Sequence, residues 1–523
     1  MAEVVTGEQR KEKVNQLIKA LGKGLYEREE PVKLALLTAV AGESIFLLGP
    51  PGVGKSLIAR RLKHAFKDGT SFEYLMSKFS TPDEVFGPIS IKKLKDEDKY
   101  ERNIENYMPS ASVVFLDEIW KSSSAIQNAL LTIINEKVYR NGEVEIKVNI
   151  KGLITASNEL PPAAESFDPL WDRFLVRYNI GGIRKHKNFL RMITDTNDVY
   201  DVQAPEEVKL SNALLQEWSA AIDEVEVPEE VLNTIQIIRM KIEEYNAKHT
   251  GRDSLVMTYD RRWKKIIRLL RTAAFLNERN RVDLMDCFLM VHCLWNKPEQ
   301  LETIKEIVGE SIRKHGYSVT TRLGMVKREL DAFEKEVDKE TRIRHNKTEE
   351  QLKPYEDEYY ELLKDNTQFE GKYVKLNDFN KLSYANATIT NIYDEDKNLL
   401  NRLQAKKGEK EHTIEIVHNS KTYTFPMKTM KVEREEIVYK VPHRLVKQFW
   451  DERFEQLHQY IEEQESRLRE EYPDELNHVS TNLFIDEKLA PIVKANHEEV
   501  VSALEQTKLN LEKLKYSYDN IEG

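Results

Sequence analysis

Three short runs carry residue types and spacings that can handle a polyphosphate. Gly49-Pro50-Pro51-Gly52-Val53-Gly54-Lys55-Ser56 has the pattern of a phosphate-binding loop: Gly, four residues, then Gly-Lys-Ser. Glycines let consecutive backbone N–H groups, from Gly52 through Val53 and Gly54 to Ser56 and Leu57, turn inward around an anion. Lys55 is placed to reach β- and γ-phosphates, and the Ser56 hydroxyl offers one position on Mg²⁺. The second run, Ser112-Val113-Val114-Phe115-Leu116-Asp117-Glu118, ends a hydrophobic strand with two acids. Asp117 suits Mg²⁺ held through its water shell, and Glu118 suits orienting and polarising an attacking water. Two acids are needed because a carboxylate committed to the metal cannot also serve the nucleophile. The third run is Leu153-Ile154-Thr155-Ala156-Ser157-Asn158. Asn158 stands either to bond that water or the γ-phosphate, or to cap the turn into residues 159–162.

Two arginine segments follow. In Leu170-Trp171-Asp172-Arg173-Phe174, an arginine displaced from its own phosphate site can serve a neighbour as an arginine finger, worth ~10³–10⁵ in rate. That chemistry makes a ring-shaped oligomer the natural functional state. In Asp260-Arg261-Arg262-Trp263, Asp260 is a plausible N-cap with both arginines in the first turn. Trp263, Ile266, Ile267 and Leu270 form an apolar stripe that leaves the Lys and Arg residues outside. Tyr26, just before a helix, suits stacking on adenine or ordinary packing. Asn296-Lys297-Pro298-Glu299 lacks the Asp that reads guanine in Asn-Lys-x-Asp. Cys287, His292 and Cys293 fall short of the roughly four ligands of a zinc site and read as core.

These groups need positioning elements. Residues 43–48 read as a buried strand entering the loop, and 57–62 open a helix whose N-terminal N–H groups favour an anion. Strands 112–117 and 153–157 end in their polar residues, as in open α/β sheets that bind ligands at strand carboxyl ends. Residues 8–22 show helical spacing, and 185–306 read as helices. Further on, Leu323, Val326, Leu330, Phe333 and Val337 step by three and four, as do Val446, Trp450, Phe454, Leu457 and Ile461. The seam Val493, His497, Val500, Leu504, Thr507, Leu511, Leu514 and Tyr518 is the most regular. Between these helices, residues 371–440 alternate as strands, with Asn419-Ser420 a hairpin turn.

A chain of 523 residues suggests three or four domains. Its 32% charged and 9% aromatic residues fit a folded protein with a charge-rich surface. A net charge of −10 argues against a broad nucleic-acid-binding face. Two cysteines make no disulfide framework. The start lacks the build of a secretory signal, and no apolar run reaches the ~18–20 residues of a membrane span. A cytoplasmic location is expected.

The ordered set Gly-Pro-Pro-Gly-Val-Gly-Lys-Ser, Phe-Leu-Asp-Glu, Ala-Ser-Asn-Glu and Asp-Arg-Phe resembles the MoxR group of AAA+ ATPases. Residues 85–90 with the charged run to 109 look like the inserted hairpin of the helix-2-insert clade. Residues 136–144 look like the hairpin before sensor 1, turning at Asn141-Gly142. Gly24-Leu25-Tyr26-Glu27-Arg28, Phe72-Glu73-Tyr74-Leu75-Met76 and Asp117-Glu118-Ile119-Trp120-Lys121 resemble the RavA subfamily. The likeness spans about residues 8–300. It implies a P-loop AAA+ α/β core with a parallel sheet between helices over 1–190, and an all-α lid over 191–305. A discontinuous long-helix domain (306–370 and 441–523) would carry a small β-rich module (371–440). It implies ATP or ADP with Mg²⁺ on Ser56 and Asp117, Tyr26 at the base, Glu118 and Asn158 (sensor 1) at the water, and Arg173 as finger. Arg261, or Arg262 beside it, matches the sensor 2 arginine that contacts phosphate in cis from the lid. Function would be ATP hydrolysis in a homohexamer with chaperone-like remodelling, a von Willebrand factor A-domain partner, and an unknown protein client at 371–440. No nucleic acid and no membrane span are implied. The rivals are a metal-chelatase ATPase subunit, which is not expected to carry the C-terminal stalk and insert, and a scaffold that nucleotide merely locks.

Overall fold

The computed structural model describes residues 7–67, 69–162, 168–200, 204–249, 251, 254–363, 369, 371–470 and 477–521. It divides into two units: Met1–Arg328 with Gln456–Leu509, and Glu329–Glu455 with Asn510–Gly523.

In the first unit, α1 (Gly7–Gly22) and α2 (Glu29–Ala41) lead into β1 (Ser44–Leu48), α3 (Lys55–Leu62) and β2 (Ser71–Leu75). Then come α4 (Pro82–Phe86), α5 (Ile91–Glu97), β3 (Val113–Asp117) and α6 (Ser124–Glu136). The hairpin β4 (Val138–Asn141) and β5 (Val144–Lys147) precedes β6 (Gly152–Ser157), α7 (Asp168–Arg173) and β7 (Val176–Asn179). Five strands form one parallel sheet in the order β2-β3-β6-β1-β7. β1 and β6 are buried along their whole length, which is why they read as unbroken apolar runs rather than alternating ones. Leu48 pairs with Ser157 and with Asn179, so the strand ends line up along one edge.

A helical lid follows: α8 (His186–Thr194), α9 (Asn212–Glu224), α10 (Glu229–Lys248), α11 (Asp260–Leu276), α12 (Val291–Leu294) and α13 (Leu301–Thr320). The fold is thus the expected AAA+ arrangement of α/β core and helical lid. α11 departs in detail. Its N-cap is Tyr259, and its buried row is Arg262, Ile266, Leu269, Leu270 and Ala273. The face is turned by about one residue from the expected stripe, which puts an arginine inside.

Residues 85–109 do not form the expected hairpin. Thr81 and Glu84 make a capping box around Pro82 and start α4, and the Ser90 side chain caps α5 by accepting from the Lys93 N–H. Only the bridge Ile89–Arg102 there has strand character. The β4–β5 hairpin forms as expected, with Gly142 at φ 66°.

From Leu323 the chain runs α14 (Leu323–Thr341), β8 (Arg342–Leu352), β9 (Pro354–Tyr355), β10 (Tyr359–Glu361), β11 (Tyr373–Lys375) and α15 (Leu376–Lys381). It continues with β12 (Thr388–Tyr393), β13 (Leu399–Lys407), β14 (Thr413–His418), β15 (Lys421–Pro426), β16 (Thr429–Tyr439), α16 (Arg444–Glu470) and α17 (Ala490–Asp519). The second unit holds a seven-stranded sheet, β15-β14-β13-β12-β11-β10-β9, and the two-stranded ribbon β16-β8. Leu362, Val374, Ile392, Ile414, Ile416 and Phe425 form the core under that sheet. Asn419 and Ser420, at φ 50° and 62°, make the expected turn. Strand structure begins at Arg342, however, inside the stretch expected to be helical up to 370. β8 carries charged residues at both parities, so no alternation announces it. Its unbroken pairing with β16, from Arg342–Tyr439 to Leu352–Thr429, makes it a strand. Among the described residues, no helix is long and apolar enough to cross a membrane.

Candidate active site

The phosphate loop leaves the carboxyl end of β1. Gly49 has to be glycine because a Cβ there would run into the Ile180 carbonyl. Gly52 and Gly54 sit at φ 81° and 87°, the left-handed region that favours glycine. Lys55, Ser56 and Leu57 then form the first turn of α3, with their N–H groups at its positive end. Lys55 is 6% exposed, and its ammonium donates to the Gly49 and Pro50 carbonyls of the loop.

Asp117 and Glu118 stand at the carboxyl end of β3, two strands from the loop. Burial raises the Asp117 carboxyl above its usual range, while the Glu118 N–H and the Lys55 charge oppose that shift. Glu118 sits at φ 52°, and its N–H donates to Asp117 Oδ1 at 3.0 Å. Its Oε2 lies 3.4 Å from Lys121 Nζ and 3.5 Å from Ser157 Oγ. Asn158 follows Ser157 at the end of β6 and is exposed. Trp120 Nε1 donates to the Glu159 carbonyl at 3.0 Å, tying the acidic strand end to this turn. Lys55, Ser56, Asp117, Glu118 and Asn158 therefore share one edge of the sheet. Ser56 and Asp117 offer hard oxygen donors of the kind Mg²⁺ takes alongside nucleotide phosphates. Among the described residues, no group of three or more His, Cys, Asp or Glu could hold a metal alone.

The segment before α2 is fastened over this edge. Arg28 donates to the Val53 carbonyl through Nε and to the Gly181 carbonyl through Nη2, both at 2.8 Å. Glu27, at φ 56°, accepts from the Arg184 and Lys185 N–H groups at 2.8 Å and from Asn188 at 3.0 Å. Tyr26 is half-buried and donates to Asp195 at 2.9 Å. Arg28 and Glu27 went unremarked as single residues in the sequence. Charged residues at a helix start ordinarily read as surface, and no spacing rule marks a side chain that grips loop carbonyls.

The arginines lie elsewhere. The Arg173 carbonyl accepts from Ser44 Oγ at 3.0 Å, which fixes α7 against the first residue of β1. Arg261 pairs with Asp172 at 3.1 Å and reaches Asn135, at the far end of α6, at 3.5 Å. Burial, and then the charge of Arg261, lower the Arg173 pKa. Arg261 thus stands at the amino-end edge of the sheet, a strand length of roughly 16 Å from its own loop, while Arg173 donates through Nη1 to the Pro169 carbonyl, one turn back along α7. Phosphate contact by Arg261 within its own chain does not fit this placement. The lid helix is pinned at its first turn beside α7, away from the loop. Arg262 has a different job: 1% exposed, it donates to the Phe174 and Leu175 carbonyls at 2.9–3.1 Å. Cys287 and Cys293 are fully buried and His292 faces Glu30 at 3.4 Å, so they belong to the packing.

A parallel sheet in this order, with the loop, the paired acids and the polar strand end on one edge and a helical lid behind, defines a AAA+ P-loop ATPase. Residues 12–217 match a family model described as the MoxR domain in MoxR-vWA-beta-propeller ternary systems, and residues 230–308 match the AAA lid domain. Two uncharacterized proteins of Methanocaldococcus jannaschii are similar. One is 31% identical over 315 residues, 60% of this chain and 78% of its own. The other is 33% identical over 297 residues, 57% of this chain and 75% of its own. A structural protein of Acidianus two-tailed virus is 30% identical over 168 residues, 32% of this chain and 27% of its own. A solved structure of a candidate ATPase from Cytophaga hutchinsonii aligns at TM-score 0.47 and 18% identity, over 59% of this chain and 96% of that one. The chain belongs to the MoxR family of AAA+ ATPases.

Proposed function

We propose that the chain hydrolyses ATP as one subunit of a RavA-type hexameric ring, each active site being completed by arginines of the adjacent subunit. One observation supports the reading: Arg173 and Arg261 lie near enough for their charges to repel, with Arg261 paired to Asp172 of α7 and the Arg173 carbonyl held by Ser44 at the start of β1. Loop N–H groups from Gly52 to Leu57, with Lys55, hold the phosphates, and Tyr26 packs at the base. Ser56 and Asp117 would hold Mg²⁺, which when bound would draw charge off the phosphate oxygens. Glu118 orients a water at the γ-phosphorus and takes its proton as the new P–O bond forms and the bond to ADP breaks. Asn158 bonds that water or the γ-phosphate. Arg173 and Arg261 of the neighbour neutralise charge that grows in the transition state.

Turnover would move lid against core and remodel a bound protein in the cytoplasm. A von Willebrand factor A-domain partner is supported by the family description of MoxR-vWA systems, and the β-sheet of the second unit is the candidate client surface. A metal-chelatase subunit, the alternative reading, is not expected to carry such a sheet.

The test is subunit mixing. Arg173→Ala should lower turnover by ~10³-fold or more while ATP affinity stays nearly intact. Glu118→Gln should bind ATP without turning it over. A mixture should regain activity, because intact loops then meet intact arginines. No recovery, or full turnover by isolated monomers, ends the reading.

A further inference from the structure

We propose that Tyr355, Tyr359 and Tyr373, in the seven-stranded sheet of the second unit, form an aromatic cage for a lysine side chain of a partner protein, with Lys397 of this chain as its internal occupant. The inference rests on the reading of that sheet as the client surface and names the group it recognises.

Strand register builds the cage. Tyr359 on β10 stands opposite Tyr355 on β9 and Lys375 on β11, and Tyr373 on β11 stands opposite Tyr393 on β12. Side chains alternate between faces along a strand, so these residues share the face turned away from the core. Val374 and Tyr360, which alternate with them, turn the other way: Val374 lies in the core and Tyr360 packs against it. The Tyr355 and Tyr373 ring centres are 5.0 Å apart with planes at 48°, and Tyr359 meets Tyr373 at 6.4 Å and 83°. The rings are walls rather than a stack. Lys397 Nζ stands among them, 3.3 Å from the centre of the Tyr373 ring, 4.2 Å from that of Tyr355 and 5.7 Å from that of Tyr359. Ring faces are electron-rich and attract an ammonium without a counter-charge.

The turn that carries Lys397 does not depend on this side chain. Between β12 and β13 the Asp394 N–H donates to the Asn398 carbonyl at 3.0 Å, and the Lys397 N–H donates to the Asp394 carbonyl at 3.1 Å. The Asn398 N–H donates to Asp394 Oδ1 at 2.8 Å. The Lys397 ammonium donates to the Glu395 carbonyl at 3.1 Å, within the same turn, so it can swing out without undoing a strand pairing. Tyr359 and Tyr373 are each 8% exposed and form fixed walls, while Tyr355 lies on the terminal strand β9 and is 40% exposed. An approaching side chain therefore enters past Tyr355. Charge favours a cation there. Exposed Glu356, Asp357 and Glu358 join Tyr355 to Tyr359, and Asp394, Glu395 and Asp396 lead from Tyr393 to Lys397. Lys372 and Lys428 face Glu395 and Glu361 at 3.4 and 2.8 Å. The cage already holds a lysine ammonium on its four-carbon stem, which is the occupant a partner would supply.

The test is calorimetric titration of the full-length chain with terminally blocked, glycine-flanked pentapeptides whose central residue is lysine, trimethyllysine or leucine, and with choline. Lys397→Ala should bind the lysine peptide at least ~10-fold more tightly than the wild type, because no internal competitor then lowers the competent fraction. The trimethyllysine peptide should gain at least as much, and the leucine peptide should bind neither chain. Adding Tyr373→Leu should erase the gain. Lys397→Gln repeats the comparison if the alanine variant has a lowered unfolding midpoint.

No gain in either Lys397 variant, or a gain that survives Tyr373→Leu, would overturn the inference and leave the sheet free to dock a client through other contacts. Choline binding to Lys397→Ala without binding of the lysine peptides would make the cage a small-amine site, overturning the inference and the client reading of this patch together.

Discussion

Two pairs of neighbouring acids in the first unit differ in what is left for them to do. Asp283 and Asp286 are 2% and 0% exposed, and both carboxylates face Arg279. Asp286 accepts both terminal nitrogens of Arg279 at 2.8 Å, Asn482 Nδ2 at 3.1 Å and the Asp283 N–H at 3.1 Å. Asp283 accepts the Asp286 N–H at 3.1 Å and lies 2.6 Å from Arg279. Asp117 and Glu118 are half-buried, with the longer contacts of 3.4 and 3.5 Å on Glu118. Carboxylates whose lone pairs are filled by short bonds hold a structure. Those with room for another ligand can take a metal or a water. Both places hold two acids within a few residues of each other, so the difference lies in how many partners the fold supplies.

The comparison breaks most cleanly at Glu118. Glu118→Gln should lower turnover by ~10²–10⁴-fold with an unchanged unfolding midpoint in urea. A loss of stability there would make Glu118 structural after all. The opposite is expected of Asp286→Ala, which strands Arg279 in the interior. It should cost about 3–5 kcal/mol in urea titration, while turnover per folded molecule is nearly kept. Asp283 adds a pH signature. Burial first, then the Asp286 charge, raise its carboxyl above the ordinary 3.8, with Arg279 opposing. A raised acid holds its proton more tightly in the folded chain. Its stabilising contribution is therefore full below pH 3.8 and is lost as pH rises toward neutrality. Asp283→Asn should flatten that slope; an unaltered slope would move the titration to another group.

The same difference explains what the sequence made legible. The loop, the strand-end acids and the Leu323–Val337 seam rest on local spacing, and the chain folds there as spacing predicts. Arg262 did not yield to such reading. Its neighbours fit an outward charged face, and only the Phe174 and Leu175 carbonyls, 88 and 87 residues away, make its burial favourable. The partners of Arg261, Asp172 and Asn135, lie 89 and 126 residues away in the chain, so no local spacing announces where this end of the lid helix is pinned. β8 was invisible because its partner β16 begins 87 residues after it, and α4 and α5 replaced a hairpin through caps at Thr81 and Ser90 that are ordinary turn residues in isolation.

The smallest expected effect lies between the two acid pairs in kind. Arg279 holds its acids at 2.6–2.8 Å, whereas Lys121 stands 3.4 Å from Glu118 with 43% of its side chain exposed. A partly solvated ammonium at that distance contributes little to stability, so Lys121→Met should shift it by less than ~1 kcal/mol. It does bias where the carboxylate points. With the ammonium gone, Glu118 is freer to turn toward a water, and turnover should rise by about 2–5-fold, a gain worth under ~1 kcal/mol of barrier. Dependence on Arg173 should persist, because the added freedom does nothing for charge growing on the phosphate. A fall in turnover as large as that of Glu118→Gln would instead place Lys121 on the phosphate or water. The acids of the site would then be held as firmly as Asp283 and Asp286, and the distinction between the two pairs would fail.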